Sequence, residues 1–285
     1  MVDIFQAIAD ASVAFAGADL ERRFGGLRRL YGDAGYARIR AARFAVVGLG
    51  GVGSWCAEAL ARSGVASLTL IDLDHVAESN INRQVQAVGT TIGQAKVQAL
   101  RERIADIHPD CEVIGIEAFV DEGNWPALLE TPVDGVIDGC DQVHAKTTLA
   151  AWALRTGGML VVAGAAGGKR RPHEVEVEDL GAVTHDPLLA SMRSRLRKFH
   201  GAARTGTIGV RCVFSRESVV AASSSLDPPS ATGRDAVVDG TLNCHGYGSS
   251  VGVCATFGMV AASVALEFAA AAPDKVEIAA AILKG

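Results

Sequence analysis

The segment FAVVGLGGVG, which runs from Phe44 to Gly53, is typical of a nucleotide-binding strand–loop–helix unit. Its glycines permit a tight turn and let the N–H groups at a helix start approach a phosphate. The next predicted strand ends at Asp72, nineteen positions after Gly53, where a carboxylate can accept both ribose hydroxyls. The sequence therefore predicts a bound nucleotide with an unmodified ribose.

Short β-rich runs alternate with helical stretches from residue 43 onward, which predicts an α/β fold with a Rossmann-like, mostly parallel sheet and flanking helices. We predict strands at 44–48, 67–72, 112–117, 133–138 and 159–163, and helices at 52–62, 94–107 and 143–155. Residues 1–41 are expected to be a helical segment and 42–165 the nucleotide-binding core. For 166–285 we expect an irregular α+β part, with strands at 175–177 and 208–214, a helix at 186–199 and a loop at 221–235.

Composition limits the class of protein. The chain has 27 Lys and Arg against 32 Asp and Glu, which argues against coating nucleic acid through overall charge. The six cysteines form no C-x-x-C pair, so we expect reduced thiols in the cytoplasm rather than disulfides or a zinc ribbon. The start of the chain lacks the basic and apolar regions of a secretory signal.

Residues 251–272 are apolar enough to raise the question of a membrane span. Thr256, Gly258, Ser263 and Glu267 interrupt the run. We therefore expect a buried helix rather than stable membrane insertion, with membrane association left open.

A polar connection follows the second strand, where a dinucleotide fold would normally run into a crossover helix. It contains Asn80, Arg83 and Gln84, and Lys96 follows in the first turns of the next helix. Two cations facing one crevice suit a triphosphate. The fourth strand ends in DGCD, which puts Asp138 and Asp141 at the same edge of the sheet, and carboxylate oxygens are natural Mg²⁺ ligands. Taken alone, each of these charges can equally be a solvated surface group.

These motifs resemble the ubiquitin-activating-enzyme (ThiF/MoeB) superfamily, whose members adenylate carboxylates. The resemblance rests on GLGGVG, on DLD at 72–74, on Asn80 with NRQ at 82–84, on Lys96 and on DGCD at 138–141. Three further segments, RFGGLRRLYG at 23–32, DPL at 186–188 and VFSRE at 213–217, together with ATFG at 255–258, are similar to the tRNA threonylcarbamoyladenosine dehydratases. That branch cyclises the threonylcarbamoyl side chain on the adenosine beside the anticodon.

The resemblance implies a role for each matching residue. ATP and Mg²⁺ would be the cofactors, with Asp141 as the metal ligand and catalytic roles for Arg29, Arg83, Lys96 and Asp141. Arg29, with Arg28 as its neighbour, would be donated across the interface of a homodimer. Cys244, beside His245, is the candidate for a thioester cysteine. The residues that would bind the nucleotide are Gly48, Gly50, Gly51, Gly53, Asp72, Asp74, Asn80, Arg83, Gln84 and Lys96.

The segment 187–216 carries seven positive charges and no Asp or Glu, which favours a tRNA phosphate-binding face. A solvated helix face is the alternative. The residues expected to contact tRNA are Arg193, Arg195, Arg197, Lys198, Arg204 and Arg211. The role of the basic run 167–172 is open.

Three other functions compete with the dehydratase. One is an adenylating activator of a ubiquitin-like sulfur-carrier protein, the second an NAD-dependent dehydrogenase, and the third a scaffold that binds a nucleotide without turnover. Whether a sulfur-transfer protein is a further partner is left open by the sequence.

Overall fold

A seven-stranded sheet organises the protein. The structure is a computed structural model that describes residues 18–219 and 247–271. The elements are, in chain order, α1 (Leu20–Phe24), α2 (Arg28–Ala41), β1 (Arg43–Val47), α3 (Gly53–Arg62), β2 (Ser67–Ile71), α4 (Lys96–Ile107), β3 (Glu112–Ile116), β4 (Gly135–Asp138), α5 (Val143–Thr156), β5 (Leu160–Ala163), β6 (Val175–Asp179), α6 (Pro187–Phe199), β7 (Arg211–Ser215) and α7 (Val251–Ala271).

The strands lie in the order β3-β2-β1-β4-β5-β7-β6, and β6 is the strand that runs antiparallel to its neighbour. The chain moves outward from β1 to β2 and β3, then returns to place β4 on the other side of β1. The register sets Val47 of β1 opposite both Ile71 and Asp138. A crevice therefore opens between β1 and β4 at the carboxyl ends of the strands, where open α/β sheets bind ligands.

The predicted α/β architecture is confirmed. Its five core strands and three core helices are each present with ends shifted by two residues or fewer. The second half is more regular than we expected, because its two strands continue the same sheet. β7 starts at Arg211 rather than at 208, since Gly209 has a φ of +95° and the N–H groups of Ile208 and Gly209 donate to the Asp179 carboxylate. The division of the chain at residue 165 stays a prediction.

Apolar side chains cover both faces of the sheet. One core lies between the sheet and helices α2, α3, α4 and α7, and the other between the sheet and α5 and α6. The N-terminal helical segment is described from residue 18, and Gly32, at a φ of +69°, kinks α2. The predicted loop at 221–235 and Cys244 lie outside the described residues; the five described cysteines are all free thiols.

Helix α7 packs on α3 and α2 and reaches β5. Gly258 makes the close approach possible, because a Cβ there would lie 2.4 Å from the carbonyl oxygen of Val52. Among the described helices, α7 is long and apolar enough to cross a membrane by length and composition, and half of that stretch is buried inside the protein. This packing is what we expect of a core helix.

Candidate active site

The glycine turn between β1 and α3 has two kinds of glycine. Gly48 has a φ of +80°, and a Cβ on it would lie 2.6 Å from the backbone nitrogen of Cys140. A Cβ on Gly53 would lie 1.8 Å from the carbonyl oxygen of Gly48. Around Gly50, by contrast, no atom lies within 4 Å of that position. Gly48 and Gly53 are therefore required by the backbone of the turn. Gly50 instead lines a cavity at the carboxyl ends of the strands, and its missing side chain leaves open space there.

The carboxylate of Asp72 ties the end of β2 to this turn. Its Oδ2 accepts the N–H of Leu49 at 2.6 Å, and its Oδ1 accepts the N–H of Asp74 at 2.8 Å. Burial raises the pKa of Asp72, and the nearby Lys96 ammonium opposes that shift. The carboxylate is thus fixed in orientation at the position expected for a ribose ligand.

Two cations line the cavity on the side of the polar connection. Lys96 is buried, and its Nζ lies 2.7 Å from Oδ2 of Asp74 and 3.7 Å from Oδ1 of Asp72. Arg83 donates from Nη1 to the carbonyl of Ser79 at 2.7 Å, and its own carbonyl accepts the indole N–H of Trp55 at 2.9 Å. Both cations therefore lie at the cavity with their positions set by neighbouring groups.

The predicted supporting residues also line the cavity. The side chain of Asn80 accepts the N–H of Ala77 at 3.1 Å, which closes the short helical turn at 78–80. The oxygen of buried Gln84 accepts from the amide of Gln86 at 3.2 Å, and Gln86 also donates to the carbonyl of Leu49 at 3.0 Å. Gln86 was missed by sequence reasoning; its signal was a second glutamine two positions on, in a short run of otherwise apolar residues.

We expected Asp138 to lie beside Asp141 at the rim of the cavity, but the structure shows otherwise. Asp138 is fully buried, and its Oδ1 lies 3.1 Å from Nζ of Lys146, which also donates to the carbonyl of Ala163 at 2.7 Å. Burial lowers the pKa of Lys146, but the neighbouring Asp138, Cys140 and Asp186 more than offset this and leave it raised, so the Lys146 ammonium is charged. Lys146 was also missed, although a single lysine among apolar residues of a helix is a recognisable signal.

The thiol of Cys140 donates to the same Asp138 oxygen at 2.8 Å. Burial and the adjacent carboxylate raise the pKa of Cys140 well above its ordinary value. Cys140 lines the cavity but is a neutral thiol at physiological pH, which makes it a poor nucleophile.

Asp141 is exposed and lines the cavity. Across residues 18–219 and 247–271, no three His, Cys, Asp or Glu side chains cluster as a metal site would require. Mg²⁺ commonly binds through one or two carboxylates together with substrate phosphates and water. Asp141 therefore fits a magnesium ion that is held mainly by a nucleotide.

The loop after β5 forms another wall, and the basic run 167–172 anchors it. The buried ammonium of Lys169 donates to the carbonyls of Ser215 and Glu217, each at 2.9 Å. Burial lowers the pKa of Lys169. The Glu217 carboxylate in turn accepts the N–H groups of Arg170 and Arg171. This run therefore has a structural role in holding residues 164–167 against the cavity.

The cavity has a volume of about 540 Å³ and two chemically different sides. The glycine turn, Asn80, Arg83 and Lys96 make one side polar and cationic. The other side is apolar and is formed by Ile71, Ala118, Phe119, Val120 and Ala145. Such a division suits a ligand that has an apolar base at one end and an anionic chain at the other.

Arg29 does not line this cavity in the single chain. Its neighbour Arg28 pairs with Asp33 at 2.7 Å and Glu21 at 3.1 Å and stacks on Tyr36. Arg29 is exposed and makes no hydrogen bond or ion pair with any residue that the structure describes. Of the two adjacent arginines, Arg29 is the one available to another molecule.

The cationic side chains of the basic segment 187–216 lie in several different environments. Four side chains, Arg193, Arg197, Lys198 and Arg204, line one depression of about 470 Å³ beside α6. Arg195 instead faces α5, with Nη2 at 3.4 Å from a ring nitrogen of His144. Arg211 is exposed at the start of β7, and Arg216 pairs with Glu176 at 2.9 Å.

The ThiF family model matches residues 23–280. The chain belongs to the ThiF family. The tRNA threonylcarbamoyladenosine dehydratase of Escherichia coli K12 is 40% identical over 251 residues, which cover 86% of this chain and 92% of the relative. The dehydratase of Haemophilus influenzae is 39% identical over 244 residues, with 85% and 91% covered.

Solved structures give the same relationship. The E. coli tRNA N6-threonylcarbamoyladenosine dehydratase TcdA in complex with ATP matches with a TM-score of 0.77 and 37% identity, covering 94% of this chain and 99% of that one. The resemblance to this branch of the ThiF family is therefore confirmed over nearly the whole chain.

Proposed function

We propose that this protein is an ATP-dependent tRNA threonylcarbamoyladenosine dehydratase. The observation that carries the proposal is the cavity, in which a glycine turn, a fixed ribose-type carboxylate and two cations meet at the carboxyl ends of β1, β2 and β4. The likeness of the chain to the dehydratases extends beyond its nucleotide-binding half and covers 86% of the chain. An activator of a sulfur-carrier protein needs the same cavity, so the substrate must be tested directly.

ATP would bind with its adenine against the apolar wall at Ala118–Val120 and its ribose on Asp72. The phosphates would lie over the glycine turn, within reach of Arg83 and Lys96. Lys96 donates to Asp74 and lies 3.7 Å from Asp72, and its ammonium has further N–H donors that a phosphate oxygen can accept. Mg²⁺ on Asp141 would neutralise phosphate charge when it is bound.

In the first step, an oxygen of the threonyl carboxylate forms a bond to the α-phosphorus of ATP. The bond from that phosphorus to its bridging oxygen breaks, and pyrophosphate leaves with the electron pair. Negative charge develops on the phosphoryl oxygens and the leaving group, so fixed cations at Arg83 and Lys96 stabilise the transition state. The product is an acyl-adenylate on the tRNA.

In the second step, the ureido nitrogen or oxygen of the same side chain attacks the activated carbonyl carbon. The bond from that carbon to the phosphate oxygen breaks, AMP leaves with this oxygen, and a proton passes to solvent. The nucleophile is tethered to the electrophile, so ring closure depends chiefly on proximity. These two reaction steps need no cysteine thioester, and a role for Cys244 stays a prediction.

We infer a homodimer in which Arg29 of one subunit reaches the phosphates in the other. The support is that Arg29 is exposed and unpaired among the described residues, whereas Arg28 is engaged within its own chain. A positive charge donated from a partner would add to Arg83 and Lys96. The cytoplasm is the expected location, since the tRNA substrate and the free thiols both fit it. A sulfur-transfer partner stays a prediction.

The depression lined by Arg193, Arg197, Lys198 and Arg204 is our candidate for the tRNA phosphate contact. Four cations in a protein of net charge −5 form a local positive field, which favours a polyanion. Arg195, Arg211 and Arg216 have other surroundings, so they are expected to add little.

The function is tested by measuring pyrophosphate and AMP release from ATP in three reactions. The first contains tRNA that carries threonylcarbamoyladenosine, the second contains the same tRNA without the modification, and the third contains no tRNA. We expect release to depend on the modified tRNA. Equal release in all three reactions would contradict tRNA as the substrate, and stabilisation by NAD⁺ without any release would favour a dehydrogenase.

A further inference from the structure

A second cavity of about 350 Å³ lies at the start of α6, next to the 540 Å³ cavity described above, which we call the nucleotide cavity. Its exposed lining is mostly apolar and includes Val183, Pro187 and Ala190. The polar members are Thr184, His185, Asp186, Arg193 and Ser218. We call it the base pocket. The volume is in the range of small-ligand sites, and the steps of the mechanism above leave it unused.

The base pocket shares a wall with the nucleotide cavity. Asp186, which lines the pocket, accepts the N–H of Ala165 at 2.9 Å, and Ala165 lines the nucleotide cavity. Leu188, two residues on, also lines that cavity. The other Asp186 oxygen accepts the N–H of Leu189 at 3.0 Å. Both carboxylate oxygens are thus occupied by backbone donors, and the helix start is capped from within the chain rather than left for an anion.

On its other side the base pocket adjoins the depression beside α6, which we call the cationic depression because it is lined by Arg193, Arg197, Lys198 and Arg204. Ala190 and Arg193 line both, so the two form one continuous surface along α6. The guanidinium of Arg193 is held by the carbonyls of Leu180 at 2.9 Å and Val183 at 2.8 Å. Arg197 donates to the carbonyl of Ala203 at 3.0 Å, which fixes the loop that carries Arg204. The surface is therefore built by defined contacts.

His185 has the backbone conformation that is least expected in this surface. Its φ is +59°, the one positive value among the described residues other than glycine. One ring nitrogen lies 3.0 Å from Oγ of Thr184, and that hydroxyl also accepts from Arg216 at 3.1 Å. The exposed imidazole is therefore oriented by its neighbours, and such backbone conformations persist mainly where surrounding structure enforces them.

Resting on the proposed function, we propose that the base pocket receives an unpaired nucleobase of the anticodon loop, the immediate neighbour of the modified adenosine. The modified nucleotide must place its carboxylate in the nucleotide cavity, and an adjacent nucleotide would then enter the pocket across the shared wall. Unpaired bases bind to aromatic rings and to guanidinium planes, which His185 and Arg193 supply. The phosphates on that side would then lie in the cationic depression, where the charge is complementary.

Two tryptophan substitutions on α6 test this inference. Ala190→Trp would fill the pocket from an exposed position that lines it, whereas Ser191 is exposed one residue further and lines neither surface. We expect Ala190→Trp to weaken binding of a modified anticodon hairpin about 10-fold, because a stacked base is lost. Ser191→Trp should bind as the wild type does.

A fluorescent base reports the contact directly. Hairpins carry 2-aminopurine at one or the other neighbour of the modified adenosine, and fluorescence is followed during titration without ATP. We expect a change of at least twofold for one of the two positions with the wild type, and none with Ala190→Trp. His185→Asn tolerates the left-handed backbone but lacks the ring, so it should reduce the change while thermal stability is retained.

The proposal is overturned if Ala190→Trp and Ser191→Trp bind equally well, or if neither labelled position responds in the wild type. These readings use binding alone, whereas the dehydratase reaction is judged by pyrophosphate release from the wild type with full modified tRNA. An enzyme that turns over normally but shows no base signal would disprove the pocket and leave the proposed function intact.

Discussion

Lys146 and Asp138 form an ion pair 3.1 Å long beneath the nucleotide cavity, with both side chains fully buried. The ammonium joins the end of β4 to the end of β5 through the carbonyl of Ala163, and the carboxylate holds the turn at Cys140. The turn that presents Asp141 to the cavity is therefore fixed from below by a charge pair that never touches solvent.

Removing one partner should be costly. Lys146→Met leaves Asp138 as an uncompensated buried charge, so we expect the free energy of unfolding in urea to fall by about 3–5 kcal/mol. The double variant Lys146→Met with Asp138→Asn removes both charges and should recover at least half of that loss. A double variant as unstable as the sum of the two single variants would show that the pair is not coupled.

The two kinds of glycine should respond differently to alanine. Gly53→Ala would place a Cβ 1.8 Å from the Gly48 carbonyl, so we expect loss of stability or of soluble protein. Gly50→Ala meets no atom within 4 Å and should unfold at the wild-type temperature, yet bind ATP about 10-fold more weakly because the methyl group narrows the cavity. Calorimetric titration with ATP measures the second effect. Unchanged ATP affinity in Gly50→Ala would mean that the phosphates lie elsewhere.

The donated arginine can be tested by complementation. Arg29→Ala and Lys96→Met should each lose activity about 100-fold, because each removes a cation from the phosphates. If Arg29 acts across a homodimer, mixing and re-equilibrating the two variants gives half heterodimers, each with one complete site. Activity should then return to about a quarter of the wild-type value. No recovery, with heterodimers verified by mass, would place Arg29 in its own subunit's site or outside catalysis.

The salt dependence of tRNA binding should locate the phosphate contacts. Lys198→Gln and Arg204→Gln, both in the cationic depression, should each lower the slope of log K against log salt by about 0.7 for a single-stranded contact. Arg211→Gln also removes an exposed charge from the same sequence segment, but one that lies outside the depression. An identical decrease in all three variants would indicate a diffuse charge effect.

The sequence was sufficient to predict the core of the fold and most of the polar residues that line the cavity. Strand and helix periods, the glycine turn and the acid at Asp72 are local signals, and parallel strands bring their carboxyl ends together. The predicted nucleotide-binding residues other than Gly53 accordingly line one cavity, and their role in binding stays a prediction. Arg29 could be named only through the family resemblance, because its proposed partner lies in another chain.

What the sequence could not show depends on which charges are buried. Asp138 and Asp141 are three positions apart in one motif, yet one is fully buried against Lys146 and the other is exposed. Likewise, the basic segment is uniform in sequence, but Arg193 and Arg216 are engaged within the protein and Lys198 is exposed. Such distinctions arise from contacts between distant parts of the chain, so no local pattern records them.

The measurement that tests the central claim most directly is the mass of the modified nucleoside before and after reaction with the enzyme and ATP. We predict that threonylcarbamoyladenosine in tRNA loses one water, that the loss requires ATP, and that Lys96→Met slows it about 100-fold. A nucleoside of unchanged mass, after complete incubation with wild-type enzyme, ATP and Mg²⁺, would contradict the assignment.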